Sequence, residues 1–476
     1  MSQVFLKKKI LKIFDKNKDN VFLINSLTNE EVTYGAFLNK TQSLLKYFHS
    51  IGLTPNSNIL ISKKNSEDYL VTFLACCLGG YKILPVDPGI TQDRIDSIFK
   101  VINFDYIINN KTKFSFTKNS TKFDKKFYLK DHDFLMISSS GTQSEEFKAI
   151  VFNSKTFLES SYSFSKLTKY NKNNTLLHCL PMFYMAGILN TFFSSIFSEN
   201  KIILTNRFSI FNISEISEIC SAYKINTFHL TPDMYRSLYK TLNQKSLIKL
   251  FKNSKSIVST GSILHEEIKS FYLKKIKKQI YSCYGLTELG GPLTIQNKSN
   301  FYEKNSVGIH DEKIKFKIKK NEILINSVFK AKYFLSISGK KKFKVKNKFY
   351  GTGDLGYYKN KQLFITGRNK DIIKKGGEIV SLSLVESVFL SRDDILEVAA
   401  VPASKIKNNA CEENYVLFLT MNEKYHIEKK IDELELFYKK KLRKIEYPKK
   451  MIVVGSMPKT SNGKIKKNSL INLFSI

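Results

Sequence analysis

Three short segments in the last third of the chain carry an acid, a guanidinium and an ammonium group on separate turns. The segments are YGTGD at 350–354, GRNKD at 367–371 and PKTSNGK at 458–464. The carboxylate of Asp354 can accept hydrogen bonds from two vicinal ribose hydroxyls, and Arg368 can add charge-assisted bonds to the sugar and a phosphate. With the ammonium of Lys464, these groups indicate a nucleotide site.

A serine-rich turn upstream is a candidate phosphate loop. The sequence SSSGTQS at 138–144 follows an apolar stretch and precedes Lys148. Its hydroxyls and backbone N–H groups could hold a triphosphate. The candidate ligands are Ser139, Ser140, Gly141, Thr142 and Lys148. Since carboxylates are unfavourable beside a triphosphate, we expect Glu145 and Glu146 to point outward.

The order of these motifs resembles that of the adenylate-forming superfamily, which contains acyl-CoA synthetases, the adenylation domains of peptide synthetases, and luciferases. A further motif, YGLTE at 284–288, strengthens the resemblance, which extends over nearly the whole chain. It implies that a carboxylic acid reacts with ATP to form an acyl-adenylate and that a thiol then accepts the acyl group.

The resemblance also implies roles for single residues. Thr287 would contact the α-phosphate, and Glu288 would help to hold Mg²⁺, which prefers oxygen ligands. Lys464 would bridge the acid and the α-phosphate, because an ammonium between two anions offsets their repulsion. These three residues are the candidate catalytic set. The other nucleotide-binding candidates are Tyr284 and Gly285, with Gly261, Ser262 and Ile263 beneath the adenine.

The acid pocket is expected along LPMFYMAG, the segment that ends at Gly187. The resemblance implies that Phe183, Tyr184 and Gly187 line it, with Tyr184 where the family usually has His. A buried aromatic core residue is the alternative for Tyr184. Because Tyr184 cannot pair with an ammonium, an acid without an α-amino group is favoured, and amino-acid adenylation stays an alternative. Apolar side chains such as Phe228 and Met234 imply an acyl or aryl body.

The sequence KDIIKKGGE at 370–378 is closer to CoA ligases than to domains that load carrier proteins. Gly376 and Gly377 would let a pantetheine chain pass close to the backbone. Lys370 lies where the family has its hinge, whose φ/ψ change turns the small domain between the two half-reactions. CoA is therefore the expected thiol, and the phosphopantetheine of a separate acyl carrier protein is the alternative.

Alternating helices and strands predict how these motifs are positioned. We expect helices over 34–49 and 67–78, and strands over 58–61, 82–85, 105–109, 134–137, 175–179, 201–205, 227–231 and 256–259. This alternation predicts an α/β fold with largely parallel sheets. Short strands at 314–318, 322–326 and 349–351 predict a small β subdomain.

The last part of the chain predicts a separate α+β unit. Its expected elements are helices over 382–391 and 428–441 and strands over 395–401, 414–420 and 450–454. We expect an N-terminal adenylate-forming domain over 1–367 and a mobile C-terminal cap domain over 368–476. At 476 residues, the chain exceeds the size that one hydrophobic core usually supports.

Composition limits the other function classes. The formal charge of +35 suggests polyanion binding, but the lysines are spread along the whole chain. We therefore expect a compositional bias and no nucleic-acid partner, with a non-catalytic nucleotide- or polyanion-binding scaffold as the alternative. The sequence has no signal peptide, no stretch long enough to span a bilayer and no regular cysteine spacing, which favours a cytoplasmic protein.

Overall fold

The computed structural model describes most of the chain. The described residues are 3–112, 114, 127–138, 147–264, 266–296, 303, 306–342, 348–375, 378–392, 394–402, 414–421, 427–459, 465–467 and 469–470. Within these ranges, none of the helices combines the length and the apolar character that crossing a membrane requires.

Two compact units divide the chain. The first comprises Met1–Lys317, Ile325–Tyr350 and Lys359–Leu363, and the second comprises Ile318–Leu324, Gly351–Tyr358 and Phe364–Ile476. The second unit therefore takes in two segments that precede residue 368. The expected division into a domain over 1–367 and a mobile cap over 368–476 stays a prediction.

The helices and strands of the described residues follow one another as the alternating pattern predicts. The helices are α1 (Gln3–Lys16), α2 (Tyr34–Ser50), α3 (Glu67–Gly79), α4 (Gln92–Phe99), α5 (Ser154–Thr168), α6 (Ser194–Ser198), α7 (Ile213–Ala222), α8 (Pro232–Thr241), α9 (Gln244–Phe251), α10 (Glu266–Phe271), α11 (Leu382–Leu390) and α12 (Ile427–Lys441). The strands are β1 (Val21–Asn25), β2 (Glu30–Thr33), β3 (Asn58–Ser62), β4 (Lys82–Pro85), β5 (Tyr106–Asn109), β6 (Asp133–Ser138), β7 (Lys148–Asn153), β8 (Thr175–His178), β9 (Lys201–Leu204), β10 (Thr227–Leu230), β11 (Ser256–Thr260), β12 (Tyr281–Leu286), β13 (Gly291–Ile295), β14 (Ile309–His310), β15 (Ile314–Lys319), β16 (Glu322–Ser327), β17 (Tyr333–Ser336), β18 (Gly339–Lys342), β19 (Tyr350–Lys359), β20 (Gln362–Arg368), β21 (Ile372–Lys375), β22 (Glu378–Ser381), β23 (Ile395–Pro402), β24 (Tyr415–Met421) and β25 (Lys450–Val453). The expected α/β fold is confirmed.

Local capping explains why helix α3 begins and ends where it does. The Ser66 side chain accepts a hydrogen bond from the backbone N–H of Tyr69 and so satisfies one of the first unpaired donors of the helix. Gly80, with φ at 84°, ends the helix in a left-handed conformation. Nearly every side chain between these caps is buried, so α3 is an interior helix that supports the sheets.

Two sheets form the first unit. The larger has the strand order β14-β13-β12-β11-β10-β8-β9-β1-β2, and the other has the order β18-β17-β7-β6-β4-β3-β5. In the larger sheet, β12, β11, β10, β8, β9 and β1 pair in parallel. Their carboxyl ends therefore meet at one edge, where ligands bind in open α/β sheets.

The C-terminal part of the second unit is a small α+β body. Strands β23, β24 and β25 form one sheet, and α11 and α12 contribute apolar side chains such as Val385 and Leu434 to its core. Ser381 caps α11 by accepting a hydrogen bond from the N–H of Leu384. The predicted order of helix, two strands, helix and strand is confirmed.

Candidate active site

The YGLTE motif forms a tight turn at the carboxyl edge of the larger sheet. Strand β12 ends at Leu286 and continues into a one-turn 3₁₀ helix, Thr287–Leu289. The Ala331 N–H donates to the Glu288 carbonyl at 2.9 Å, and the Ser327 hydroxyl donates to the Leu289 carbonyl at 3.0 Å. These bonds hold the turn that carries Thr287 and Glu288.

Close backbone packing explains the glycine in this motif. A methyl group added to Gly285 would lie 2.1 Å from the carbonyl oxygen of Gly291. We therefore expect Gly285→Ala to separate β12 from β13, to lower the free energy of unfolding by about 1–3 kcal/mol and to reduce ATP turnover. Thermal unfolding and pyrophosphate exchange would measure the two effects.

Gly455→Ala is the matched control, since a methyl group there would meet nothing within 4 Å. The steric explanation is wrong if both variants unfold at the same temperature as the unmodified protein.

The electrostatic surroundings of Glu288 bear on its expected role as a magnesium ligand. Burial raises the pKa of Tyr350 to about 12, and the Glu288 carboxylate adds to that shift. The carboxylate of Glu288 is therefore close enough to Tyr350 to influence its phenol electrostatically. Among the described residues, no three His, Cys, Asp or Glu side chains group around a possible metal position. Mg²⁺ is commonly held by one or two carboxylates together with substrate phosphates, and the role of Glu288 as such a ligand stays a prediction.

The segment expected to contact adenine is exposed and follows strand β11, next to this turn. Gly261 follows β11 with φ at 100°, and the side chain of Ile263 is exposed. The backbone register places Thr260 opposite Cys283, directly before Tyr284. The segment at 261–263 therefore lies at the same edge as Thr287, and its contact with adenine stays a prediction.

Both ends of the phosphate loop, including the candidate ligand Lys148, lie within the described residues. Strand β6 ends at Ser138, which lies opposite Ala149 in β7. Lys148 is the first residue of β7 and is half-buried. The other candidate ligands, and the two acidic residues that follow them, lie outside the described residues: Ser139, Ser140, Gly141, Thr142, Glu145 and Glu146. Their role in phosphate binding stays a prediction.

The expected acid segment packs against the YGLTE turn within the first unit. A methyl group added to Gly291 would lie 3.0 Å from the Met185 side chain. The rings of Phe183 and Tyr184 are 4.5 Å apart; Phe183 is buried and Tyr184 is half-buried. Gly187 permits the close packing, since a methyl group there would lie 2.2 Å from the Pro181 carbonyl oxygen.

Residues that are distant in the sequence hold this acid segment in place, and none of the sequence motifs indicated them. The Asn65 side chain donates to the Leu180 carbonyl at 2.8 Å and accepts from the Met182 N–H at 3.2 Å. The Arg207 guanidinium lies 5.4 Å from the centre of the Phe183 ring and pairs with Asp87 at 3.4 Å. An amide and an ion pair therefore fix the wall of the candidate pocket.

Two apolar residues expected near the acid pack against a hydrophobic core of the first unit. Phe228 packs against Phe251, with ring centroids 4.9 Å apart, in the hydrophobic core beneath α7 and α9. Met234 packs against the same core cluster. Because side chains alternate along β10, Phe228 faces this core while its neighbour His229 points to the opposite face of the sheet. The contact of Met234 with the acid stays a prediction.

The ribose candidates meet directly in the second unit. The Arg368 Nε donates to the Asp354 carboxylate at 2.6 Å, and the Asp354 side chain is only 2% exposed while that of Arg368 is 53% exposed. Thr352 Oγ1 accepts from the Asp354 N–H at 3.0 Å and donates to the Ile323 carbonyl at 2.7 Å. The motif thus holds a buried carboxylate beside an accessible guanidinium.

Comparison with known protein families decides the class of this site. The sequence profile of the AMP-binding enzyme family matches residues 12–323, and that of the AMP-binding enzyme C-terminal domain matches residues 384–464. The chain belongs to the AMP-binding enzyme family. This membership confirms the resemblance inferred from the motifs and the expectation of an AMP-forming acid–thiol ligase.

Several curated relatives of this AMP-binding enzyme are CoA ligases by name. A 2-succinylbenzoate–CoA ligase of Lactococcus lactis is 24% identical over 87% of this chain and 90% of its own length. A 4-coumarate–CoA ligase-like protein of Arabidopsis thaliana is 22% identical over 96% of this chain and 88% of its own length.

Solved structures confirm the fold of this AMP-binding enzyme. The o-succinylbenzoate CoA synthetase of Bacillus subtilis, in complex with its acyl-adenylate intermediate, has a TM-score of 0.80 at 17% identity, with 97% of each chain covered. An anthranilate CoA ligase bound to anthranoyl-AMP has a TM-score of 0.83 at 14% identity, covering 99% of this chain and 97% of its own.

The remaining candidates of the AMP-binding enzyme are Lys370, Gly376, Gly377 and Lys464. Lys370 is in a one-turn 3₁₀ helix, Asn369–Asp371, between β20 and β21. Strands β21 and β22 pair with Lys375 opposite Glu378. Gly376, Gly377 and Lys464 lie outside the described residues. Their roles, and that of Lys370 as the hinge, stay predictions.

Proposed function

We propose that this protein uses ATP to activate an acyl or aryl carboxylic acid as an acyl-adenylate and then transfers the acyl group to the thiol of CoA. The observation that carries the proposal is the packing of Met185 against Gly291. It joins the expected acid segment to the turn with Thr287 and Glu288 at one edge of one sheet.

Two bond exchanges make up the reaction. A carboxylate oxygen attacks the α-phosphorus of ATP, and pyrophosphate leaves with the electrons of the broken P–O bond. The thiolate of CoA then attacks the acyl carbon, and AMP leaves. The AMP group makes the second step favourable because it converts a poor leaving group into a good one.

The chain's own groups have distinct tasks in the first exchange. Thr287 donates to the α-phosphate, and the Asp354 carboxylate accepts from the ribose while Arg368 orients that carboxylate. Glu288 would be a protein ligand of Mg²⁺, which supplies positive charge to the phosphates when it is bound. Lys464 brings an ammonium to the reacting acid and phosphate.

The acid segment favours a substrate with an apolar body and no α-amino group. Phe183 and Met185 are buried, and Tyr184 offers a phenol where a carboxylate would be needed to pair with an ammonium. Asp87, which pairs with the Arg207 that lies over the Phe183 ring, is thereby already neutralised. Relatives that are named as CoA ligases of 2-succinylbenzoate and anthranilate support an acyl or aryl acid as the substrate class.

Pyrophosphate exchange with a panel of fatty, aryl and amino acids tests the proposal. We expect exchange that requires an acid without an α-amino group, and AMP release that rises on addition of CoA. Activity with a phosphopantetheinyl carrier protein and none with CoA would show that the carrier protein, and not CoA, is the acceptor. ATP binding without exchange for any acid in the panel would favour the scaffold and contradict the proposal.

We also propose a cytoplasmic location, which is supported by cysteine chemistry. Cys76, Cys77, Cys179, Cys220 and Cys283 are all buried and free of disulfides. Burial raises the pKa of these thiols, so they are poor nucleophiles. Free thiols of this kind are typical of a reducing compartment.

A further inference from the structure

Three charged side chains form a network inside the second unit that none of the sequence motifs explains. The Lys467 ammonium lies 2.8 Å from a Glu386 carboxylate oxygen and 3.5 Å from a carboxylate oxygen of Asp371. The same Glu386 oxygen accepts a hydrogen bond from the Ala400 N–H at 2.7 Å. The Glu386 side chain is only 15% exposed, so this ion pair is largely shielded from water.

The three residues connect parts of the chain that the proposed reaction needs together. Asp371 directly follows the expected hinge, Lys370. Glu386 belongs to α11, in the core of the small α+β body. Lys467 lies three residues after Lys464, and an extended chain of three residues spans at most about 11 Å. The network therefore fixes a point close to Lys464.

Further bonds hold both ends of the 460–464 segment. The Lys466 N–H donates to the Pro458 carbonyl at 2.7 Å, and Lys459 forms a backbone bridge with Ile465. The Lys459 ammonium pairs with Glu397 of β23. Both flanks are thus tied to the small α+β body, and Lys467 supplies the tie on the carboxyl-terminal side.

We propose that Lys467 is a positioning residue for adenylation: its ion pairs with Glu386 and Asp371 fix Lys464 relative to the hinge. The proposal rests on the proposed function, because it acts through the first half-reaction. Asp371, which follows the hinge, and the segment that carries Lys464 would then move as one body. A displacement of about 1 Å at a reacting group can cost about a hundredfold in rate. Loss of the ion pairs that hold this segment would therefore be sufficient to impair catalysis.

Lys467→Met tests this role, with Lys466→Met as the matched control. Lys466 is the exposed neighbour, and its replacement removes the same charge. We expect Lys467→Met to lower pyrophosphate exchange about tenfold to a hundredfold while thiol transfer from supplied acyl-adenylate is unchanged. Lys467→Arg should restore exchange because it keeps both ion pairs. Equal exchange in Lys467→Met and Lys466→Met would overturn the proposal.

A neutral pair of substitutions separates positioning from stability. Lys467→Met alone leaves the shielded Glu386 carboxylate without its partner, which destabilises the fold. The double variant Glu386→Gln/Lys467→Met removes both charges of the shielded pair and leaves only the more exposed Asp371 carboxylate, so we expect its unfolding temperature to recover and its exchange to stay low. Recovery of exchange together with stability would assign Lys467 to folding alone and contradict the proposal.

The Lys464→Ala background supplies the remaining test. If Lys467 acts only through Lys464, adding Lys467→Met to Lys464→Ala should lower exchange by less than twofold, because coupled residues are not additive. A full further decrease would overturn the proposal. Failure of the proposed function is distinguishable, since the unmodified protein would then show no exchange with any acid.

Discussion

Replacement of Lys464 by alanine is expected to lower the rate of acyl-adenylate formation about 10²–10³-fold. The physical reason is charge. A carboxylate that approaches an anionic phosphate is repelled, and an ammonium about 4 Å away interacts with a unit charge by about 4 kcal/mol at an effective dielectric of 20. Pyrophosphate exchange with a saturating acid would measure the loss.

The second half-reaction is the internal control for Lys464. Transfer of the acyl group from supplied acyl-adenylate to CoA does not bring a carboxylate to a phosphate, so Lys464→Ala should leave it unchanged. Lys466→Ala, the same replacement at an exposed neighbour, should leave both half-reactions unchanged. Equal losses in both half-reactions would contradict the assignment of Lys464 to adenylation.

Much of the fold could be predicted because its boundaries are encoded locally. Ser66 and Gly80 mark the two ends of α3, and the structure places the helix at Glu67–Gly79, one residue longer than expected. The strand expected at 82–85 is β4. Such agreement follows from caps and from the alternation of apolar segments with turns, which a sequence displays directly.

Two elements were wrong or missing for local reasons. The strand expected at 349–351 is part of the ten-residue β19, which ends at a turn where Asn360 and Lys361 have φ at 50° and 60°. Glycine normally signals such a turn, and here it is absent. The π-helix Ala186–Phe193 was missed because nearly all its side chains are buried, which leaves no polar face to reveal its period.

The motifs name residues that could carry the chemistry, and they do not indicate the residues that hold those motifs in place. Asn65 contacts the acid segment across 115 positions of sequence, and Arg207 reaches Asp87 across 120. Lys467 reaches Asp371 across 96 positions. Pairings of this kind depend on how strands and helices are ordered in space, and that order is not a property of any short segment.

Asp354→Asn is expected to lower kcat/KM for ATP about 10²–10³-fold. A hydrogen bond to a charged group is worth about 1.5–3 kcal/mol, and the carboxylate can accept from two ribose hydroxyls. The amide keeps the shape and loses the charge, so the hydrogen bond that Arg368 Nε donates at 2.6 Å becomes weaker as well. Asp394→Asn is the matched control, since it removes an acid paired with Arg392 in the same unit.

Nucleotides that lack one ribose hydroxyl give the Asp354 prediction its decisive measurement. The unmodified protein should prefer ATP over 2′-deoxy-ATP and 3′-deoxy-ATP, because each analogue removes one hydroxyl that would donate to the Asp354 carboxylate. In Asp354→Asn this preference for ATP should become smaller, since the hydroxyl that the analogue lacks and the charge that the variant lacks take part in the same hydrogen bond. A variant that still discriminates as strongly as the unmodified protein would place the ribose elsewhere, and Asp354 would then serve only to hold Arg368.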